Sequence, residues 1–254
     1  MIKALKRFGQ NFLIDKNILS LIISRADLKE SDCVLEIGAG EGVLTQELLN
    51  HEIKYLHSIE LDQRLRASLD RFSEFPNFAI HWADAVKFDY DSLSPFPNKL
   101  IANIPYNITT PLIWELIKYT SRGLNYYLLM LQKEAALRLT AKPDTKERYP
   151  LGIAIELMGH ADIIHNVSRT CFKPVPKVDS AITEIVINRN YELAQDDLFS
   201  ELLHAGFAHR RKTLINNLRG FHGLHDLDLH ELNNKRAEDL TCEEWLKIYR
   251  GLKI

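Results

Sequence analysis

Cysteine is scarce in this chain and scattered. Cys33, Cys171 and Cys242 are the only three in 254 residues, and their wide separation offers neither a disulfide framework nor a CxxC metal pair. No apolar run approaches the roughly 18 residues of a membrane span. The opening MIKALKRFGQNFL holds Lys3, Lys6 and Arg7 but no apolar stretch long enough for a secretory signal. Repeats and low-complexity tracts are missing too. These absences predict a protein of the reducing cytoplasm, with no metal site and no membrane contact. A basic excess is also lacking, since 32 Lys+Arg stand against 34 Asp+Glu for a net charge of −2.

What is present is an ordinary globular composition, 46% hydrophobic and 26% charged, long enough for one large domain and a smaller one. The near-neutral total hides an asymmetry. Residues 27–98 carry 14 acidic against 6 basic side chains, a balance of −8. Residues 1–16 and 201–219 are each +3. Local basic patches of this kind suit phosphates, although most charge runs are solvated faces. Charge alone does not decide between the two.

Through the first two thirds, short apolar runs alternate with amphipathic segments. Strands are predicted at 33–38, 55–61, 78–83, 99–104 and 126–131, with helices near 43–50, 63–72 and 111–119 between them. That alternation implies right-handed crossovers and a parallel sheet covered on both faces, an α/β fold. A strand pair at 161–167 and 181–188, joined by CFKPVPKVDS, extends one edge in mixed orientation. The polar stretch AKPDTKERYP (141–150) reads as a surface loop. After Asn190 only short helices are expected, at 196–208, 210–219, 226–234 and 241–250. The sequence therefore divides into a sheet domain over 1–190, with an N-terminal arm at 1–16, and a small all-α domain over 191–254.

The chemistry-bearing motifs fall at the strand ends. VLEIGAGEGVLT (34–45) runs from a strand through Gly38, Gly40 and Gly42 into a helix, the usual place for a nucleotide-like ligand in an open α/β sheet. Its G-x-G-x-G spacing is not that of the dinucleotide folds, and a glycine loop alone is weak evidence. Glu36 lies inside the strand, where burial is costly unless it has a purpose. Glu60 closes the next run, where a carboxylate can accept both hydroxyls of a ribose. Asp84 ends the third, where an acid can accept from an adenine amino group. Each could instead be a helix cap or a solvated strand end. Acids at successive strand tips beside this loop fit an adenosine-bearing cofactor without a pyrophosphate, and the pattern resembles the class I S-adenosylmethionine-dependent methyltransferases, with their Rossmann-like sheet.

At the fourth tip stands NIPY (103–106), which matches the [DNS]-[IVLP]-P-[YFW] signature of methyltransferases acting on planar, conjugated amines. Such an amine is a poor nucleophile because its lone pair is delocalised into the ring. The Asn103 oxygen and a backbone carbonyl near Ile104 or Pro105 can hold its two hydrogens and favour a pyramidal nitrogen. Pro105 fixes φ and stiffens that carbonyl, and Tyr106 offers a face on which a base stacks. A plain strand-ending turn is the rival reading of the same four residues.

Taken together, KRFGQNFL, EIGAGEG, IELD, DA at 84–85, NIPYNITTP, LQKE (131–134), FKPVPKVDS (172–180) and FAHRRKTLINNL (207–218) closely resemble the KsgA (RsmA) family of small-subunit ribosomal RNA adenine dimethyltransferases over essentially the whole chain. The resemblance implies that Asn11 and Leu13 close over S-adenosylmethionine, with Gly38, Glu60, Asp84 and Asn103 lining its site. It implies that Phe172 stacks the target adenine opposite Tyr106, though Phe172 could be plain core beside the proline turn. It makes Lys6, Arg7, Arg210, Arg211 and Lys212 RNA-phosphate contacts. The implied substrate is a pair of adjacent adenines, each dimethylated at N6, in the 3′-terminal hairpin loop of 16S rRNA in the small subunit, acted on by a monomer. Two departures, Ala39 and Thr109-Thr110, remove no functional group that the chemistry needs. The rivals are an Erm-type methyltransferase of 23S rRNA, which shares the glycine loop and NIPY, and a non-catalytic small-subunit assembly factor. LQKE, the FKPVPKVDS loop and the helical tail favour the small-subunit enzyme.

Overall fold

The computed structural model describes residues 9–224 and 230–252. Strand β1 (Phe12–Leu13) leads into helix α1 (Lys16–Ala26), whose start is fixed by the Asp15 carboxylate accepting from the Asn17 and Ile18 amides. Ile18, Leu19, Ile22 and Ala26 form its buried stripe, the i, i+4, i+8 spacing of one helical face. Then come β2 (Cys33–Ile37), α2 (Val43–Leu49), β3 (Tyr55–Glu60), the short α3 (Arg66–Leu69), β4 (Phe78–Trp82), β5 (Lys99–Asn103), α4 (Thr109–Leu116) and β6 (Tyr126–Gln132). After α5 (Lys133–Thr140), α6 (Pro150–Met158), β7 (Gly159–Val167), β8 (Phe172–Lys173) and β9 (Ser180–Ile187), the described chain continues through α7 (Asp197–Gly206), α8 (Leu214–Asn217) and α9 (Cys242–Leu252).

The expected α/β sheet is present. Its strand order is β4-β3-β2-β5-β6-β9-β7. β2 to β6 pair in parallel, and β9 runs antiparallel to β6 in the register Tyr126↔Val186 to Gln132↔Ser180. All five residues of β2 are buried, as suits a strand covered on both faces. Chain order runs outward from β2 in one direction and from β5 in the other. The crevice beyond the carboxyl ends of these two strands is the place such a sheet leaves for a ligand.

The helix expected at 63–72 is broken into tight turns around α3, yet Leu65, Leu69 and Phe72 keep a buried helical spacing. The one at 111–119 begins at Thr109 and continues past Leu116 as tight turns to Arg122, closed by Gly123 at φ +109°. The 210–219 segment shortens to α8, and residues 226–229 of the third segment, 226–234, lie outside the described residues.

Two compact units emerge, one of Met1–Ala136 with Asp162–Val186 and one of Leu137–Ala161 with Ile187–Ile254. The second therefore begins earlier than a single cut near residue 190 allows. Its centre is α6, buried at eight of its nine positions, with only Glu156 outside the buried set. A helix that is apolar all round shows no amphipathic period, which explains why the sequence pattern does not announce it. The 141–150 stretch is less of a surface loop than its composition suggests. Arg148 is fully buried within this unit, donating to the Ala141 carbonyl and to Glu156 at 2.7 Å.

Candidate active site

A cavity of about 300 Å³ opens at the carboxyl ends of β2, β3 and β5. That is within the range of small-ligand sites. Its floor is the glycine loop. Gly38 and Gly40 sit at φ +76° and +60°, a left-handed conformation that costs other residues about 1–2 kcal/mol. At Gly38 a Cβ would come 3.4 Å from Pro105 Cδ, and at Gly40 it would come 3.2 Å from the Phe12 ring. The loop therefore presents bare backbone to whatever lies in the cavity.

Glu36 supports that loop from below. Only 1% exposed, its Oε2 accepts from the Thr45 hydroxyl at 2.7 Å and the Ser58 hydroxyl at 2.6 Å. Oε1 is buried without a partner. Burial, outweighing both hydroxyls, pushes this carboxyl up to about 7. The residue thus clamps α2 and β3 to β2.

Glu60 lines the cavity and is oriented from behind. Its Oε2 accepts from the Gly40 amide at 2.9 Å and its Oε1 from the Asp62 amide at 2.8 Å. Burial raises its pKa, and those backbone amides work against the shift. A carboxylate has about four acceptor positions, so each oxygen keeps a lone pair for a ligand hydroxyl. Asp84 also lines the cavity, with Oδ1 accepting from the Val86 amide at 3.0 Å. It is a turn cap and a cavity wall at once, so the two readings of this acid do not exclude each other.

The fourth wall is NIPY. Asn103, Ile104, Pro105 and Tyr106 all line the cavity. Asn103 Nδ2 donates to the Asn11 carbonyl at 3.1 Å, which assigns the amide's orientation and turns Oδ1 away from that partner. The Pro105 carbonyl accepts from the Ile108 amide at 3.1 Å. Tyr106 is half-buried, and its hydroxyl meets the Ser180 hydroxyl at 2.7 Å. Burial is the main reason its phenol pKa is raised.

The N-terminal arm closes the ring. Gly9, Gln10, Asn11 and Phe12 line the cavity, so this part of the arm is no frayed end. Gln10 Nε2 donates to Asp62 Oδ2 at 2.8 Å. The adjacent Arg64 side chain draws that carboxyl down to about 2, so it is ionised at neutral pH. β1 pairs antiparallel with β8, Phe12 opposite Lys173 and Leu13 opposite Phe172.

That pairing places two of the expected residues outside the main cavity. Phe12, not Leu13, is a wall of the main cavity, while Leu13 is 9% exposed and faces a smaller space behind the glycine loop. Adjacent side chains of a strand point to opposite faces, and a two-residue strand gives too little pattern to tell which face is which. Phe172 is 1% exposed in the same apolar cluster as Leu13 and does not line the cavity. As placed, it is core, because the arm's pairing with β8 covers it.

The basic residues are distributed differently again. Lys6 and Arg7 lie outside the described residues. Arg210 is engaged within its own unit, paired with Glu238 at 2.8 Å and donating to the Lys146 carbonyl. Arg211 and Lys212 are exposed. Among the described residues no helix is long and apolar enough to cross a membrane.

A positive-φ glycine cradle, a preset carboxylate on β3, a second acid after β4 and an arm over the top are the donor set an adenosyl group needs. These residues fit S-adenosylmethionine, since Glu60, Asp84 and Asn103 line one cavity with the glycine loop. Among protein families, ribosomal RNA adenine dimethylase matches residues 1–253. Ribosomal RNA small subunit methyltransferase A of Saccharophagus degradans is 37% identical over 256 aligned positions, covering 98% of this chain and 95% of that protein. The crystal structure of a dimethyladenosine transferase from Plasmodium falciparum superposes with a TM-score of 0.79 at 29% identity, over 96% of this chain and 98% of that one. The 23S rRNA methyltransferase ErmE superposes with a TM-score of 0.70 at 24% identity, over 96% of this chain and 100% of that one, a likeness of fold alone. With the family match spanning residues 1–253 of 254, the chain belongs to the ribosomal RNA adenine dimethylases, enzymes whose methyl donor is S-adenosylmethionine.

Proposed function

We propose that this enzyme methylates N6 of two adjacent adenines in the 3′-terminal hairpin loop of 16S rRNA, twice each, in the small ribosomal subunit. The observation that carries the chemistry is the Asn103 amide. It stands at the tip of β5 beside the cofactor cradle, with Nδ2 held by the Asn11 carbonyl at 3.1 Å. Bound S-adenosylmethionine supplies a methyl group activated by its sulfonium. The protein's task is to present an amine to it. Asn103 Oδ1 accepts one N6 hydrogen. In the first transfer a backbone carbonyl of Ile104 or Pro105 takes the other, the Pro105 oxygen keeping a lone pair beside its bond from the Ile108 amide. Drawn toward both acceptors, the nitrogen pyramidalises and its lone pair leaves the ring. Its proton becomes acidic as the N–C bond forms, so no strong base is required before attack. Tyr106 gives the extruded base a face to stack on. Catalysis is then mainly orientation in a site the arm shields from water.

Loop bases are the cheapest for a protein to take hold of, being unstacked already. Cys33, Cys171 and Cys242 are all free thiols, consistent with work in the cytoplasm. Arg211 and Lys212, with Lys6 and Arg7, serve as phosphate contacts that orient the subunit without reading sequence.

The test is methyl transfer to small subunits lacking the modification, with mass spectrometry of the loop nucleotides. Dimethyladenine should appear there. Signal in large-subunit RNA and none in the loop would replace this reading by the 23S one. Asn103→Ala should keep most of the cofactor affinity and lose roughly 10²-fold or more in kcat, the scale seen when one preorganised polar group is removed from a reacting centre. Full turnover in that variant would remove the amine-polarising role.

A further inference from the structure

The loop between β8 and β9 is not part of the chemistry above, yet both its ends are fastened to walls of the cavity. At one end Lys173 is paired with Phe12 across the β1–β8 ladder. At the other, Ser180 holds the Tyr106 hydroxyl at 2.7 Å. The loop therefore stands at the rim where a base would enter. Its root is braced as well. Asp179 Oδ1 accepts from the Arg169 amide at 3.0 Å, and the Asp179 carbonyl accepts from the Lys133 amide at 3.0 Å. Pro174 and Pro176 fix two more φ angles.

What this braced loop displays is unusual for a solvated turn. Lys173 and Lys177 are exposed, and among the described residues neither side chain makes a salt bridge or hydrogen bond. Val175 and Val178 are 60% and 44% exposed, two of the six exposed large hydrophobic side chains among the described residues. The one acid of the segment, Asp179, is engaged with the Arg169 amide. Two unpaired cations alternating with rigid apolar side chains match a nucleic-acid strand, with ammonium groups at phosphates and methyls against ribose and base faces. A protein partner would leave the cations to be matched by acids, and a solvated charge run has no use for the valines.

We infer that the 173–178 loop is an RNA-binding rim, in which Lys173 and Lys177 each neutralise a phosphate of the strand flanking the target adenine. This rests on the reading of the substrate as an adenine of small-subunit RNA, and it adds the residues that seat the strand beside Tyr106. Both lysines are positioning residues.

The experiment compares wild-type protein, K173A/K177A and K173R/K177R for binding to unmodified small subunits across a salt series, with methyl transfer measured in parallel. Each lost phosphate contact removes about 0.7–0.9 from the slope of log affinity against log salt. The alanine pair should thus flatten the slope by about 1.4–1.8 and weaken binding roughly tenfold at 0.15 M salt. The arginine pair should restore both, and S-adenosylmethionine affinity should be the same in all three. Wild-type methylation together with an unchanged slope in the alanine pair would overturn the rim alone. Weaker binding without a change of slope would do the same, in favour of a protein contact. Wild-type protein that transfers nothing to the subunit would overturn the rim together with the substrate reading.

Discussion

Glu36→Gln tests the physics beneath the glycine loop. Glu36 Oε2 accepts two hydroxyls, and Oε1 has no partner in a site where the residue is 1% exposed. Burial moves the carboxyl from its ordinary 4.5 to about 7. A carboxyl raised in the folded state binds its proton more tightly there than in the unfolded chain. Its contribution is therefore fully present below pH 4.5 and is lost as pH rises through about 7. At 1.36 kcal/mol per pH unit the loss is about 3 kcal/mol. Glutamine keeps the shape, and its oxygen can accept both hydroxyls while its amide takes the place of the unpartnered atom. It has no charge to bury, so the loss should vanish. Urea denaturation followed by tryptophan fluorescence should give near-equal stabilities at pH 5. The variant should be more stable by about 2–3 kcal/mol at pH 8. A stability difference that is the same at both pH values would refute the reasoning, because a neutral substitution would then be acting through packing alone.

Other substitutions probe the surrounding walls. Gly42 starts α2 at φ +81°, and a Cβ there would lie 2.4 Å from Cε2 of the buried Phe72. Gly42→Ala should cost about 2–4 kcal/mol through left-handed strain and overpacking, read as a drop of roughly 5–10 °C in thermal unfolding. A shift under about 2 °C would mean that Phe72 yields freely. Tyr106→Phe removes the bond to Ser180 and keeps the ring, so kcat/KM for subunits should fall by less than about tenfold. Tyr106→Ala also loses the stacking face, worth about 1–3 kcal/mol. Equal defects in the two would assign the function to the hydroxyl and not to the ring.

How much of this could be read from the sequence depended on how far apart the cooperating residues lie. The glycine loop and NIPY are local, and their backbone geometry follows from a few adjacent residues. Glu60 and Asp84 were legible because a parallel sheet puts the end of each strand at the same edge. Phe172 was not. Whether its ring faces a substrate or the core depends on the pairing of β8 with β1, residues some 160 positions apart in the chain. Arg148 in a charged stretch looks like a surface residue, and its bonds to Glu156 and to the Ala141 carbonyl, each 2.7 Å, make its complete burial tolerable. Helix α6 carried no periodic signal because nearly every side chain of it is inside.

The same distinction separates the identity of the chemistry from its geometry. NIPY names the reaction class by supplying an amide, a stiff turn and an aromatic face. It does not determine which end of the Asn103 amide meets the substrate, because a flipped side chain would offer donors to an amine that has hydrogens of its own to give. That choice is made by the Asn11 carbonyl, 92 residues earlier in the chain. Asn11 is held in turn by an arm tied down at Gln10–Asp62 and along β1–β8. Asp62 belongs to the segment that also orients Glu60, through the Asp62 amide at 2.8 Å. Glu60 and Asn103, the proposed cofactor carboxylate and amine acceptor, are thus set by one connected structure, and loosening the arm should misorient Asn103 even with every residue of NIPY in place. An arm substitution such as Gln10→Ala should accordingly lower kcat more than it raises the KM for the RNA. The opposite pattern would mean that the arm holds the strand and leaves the amide to orient itself.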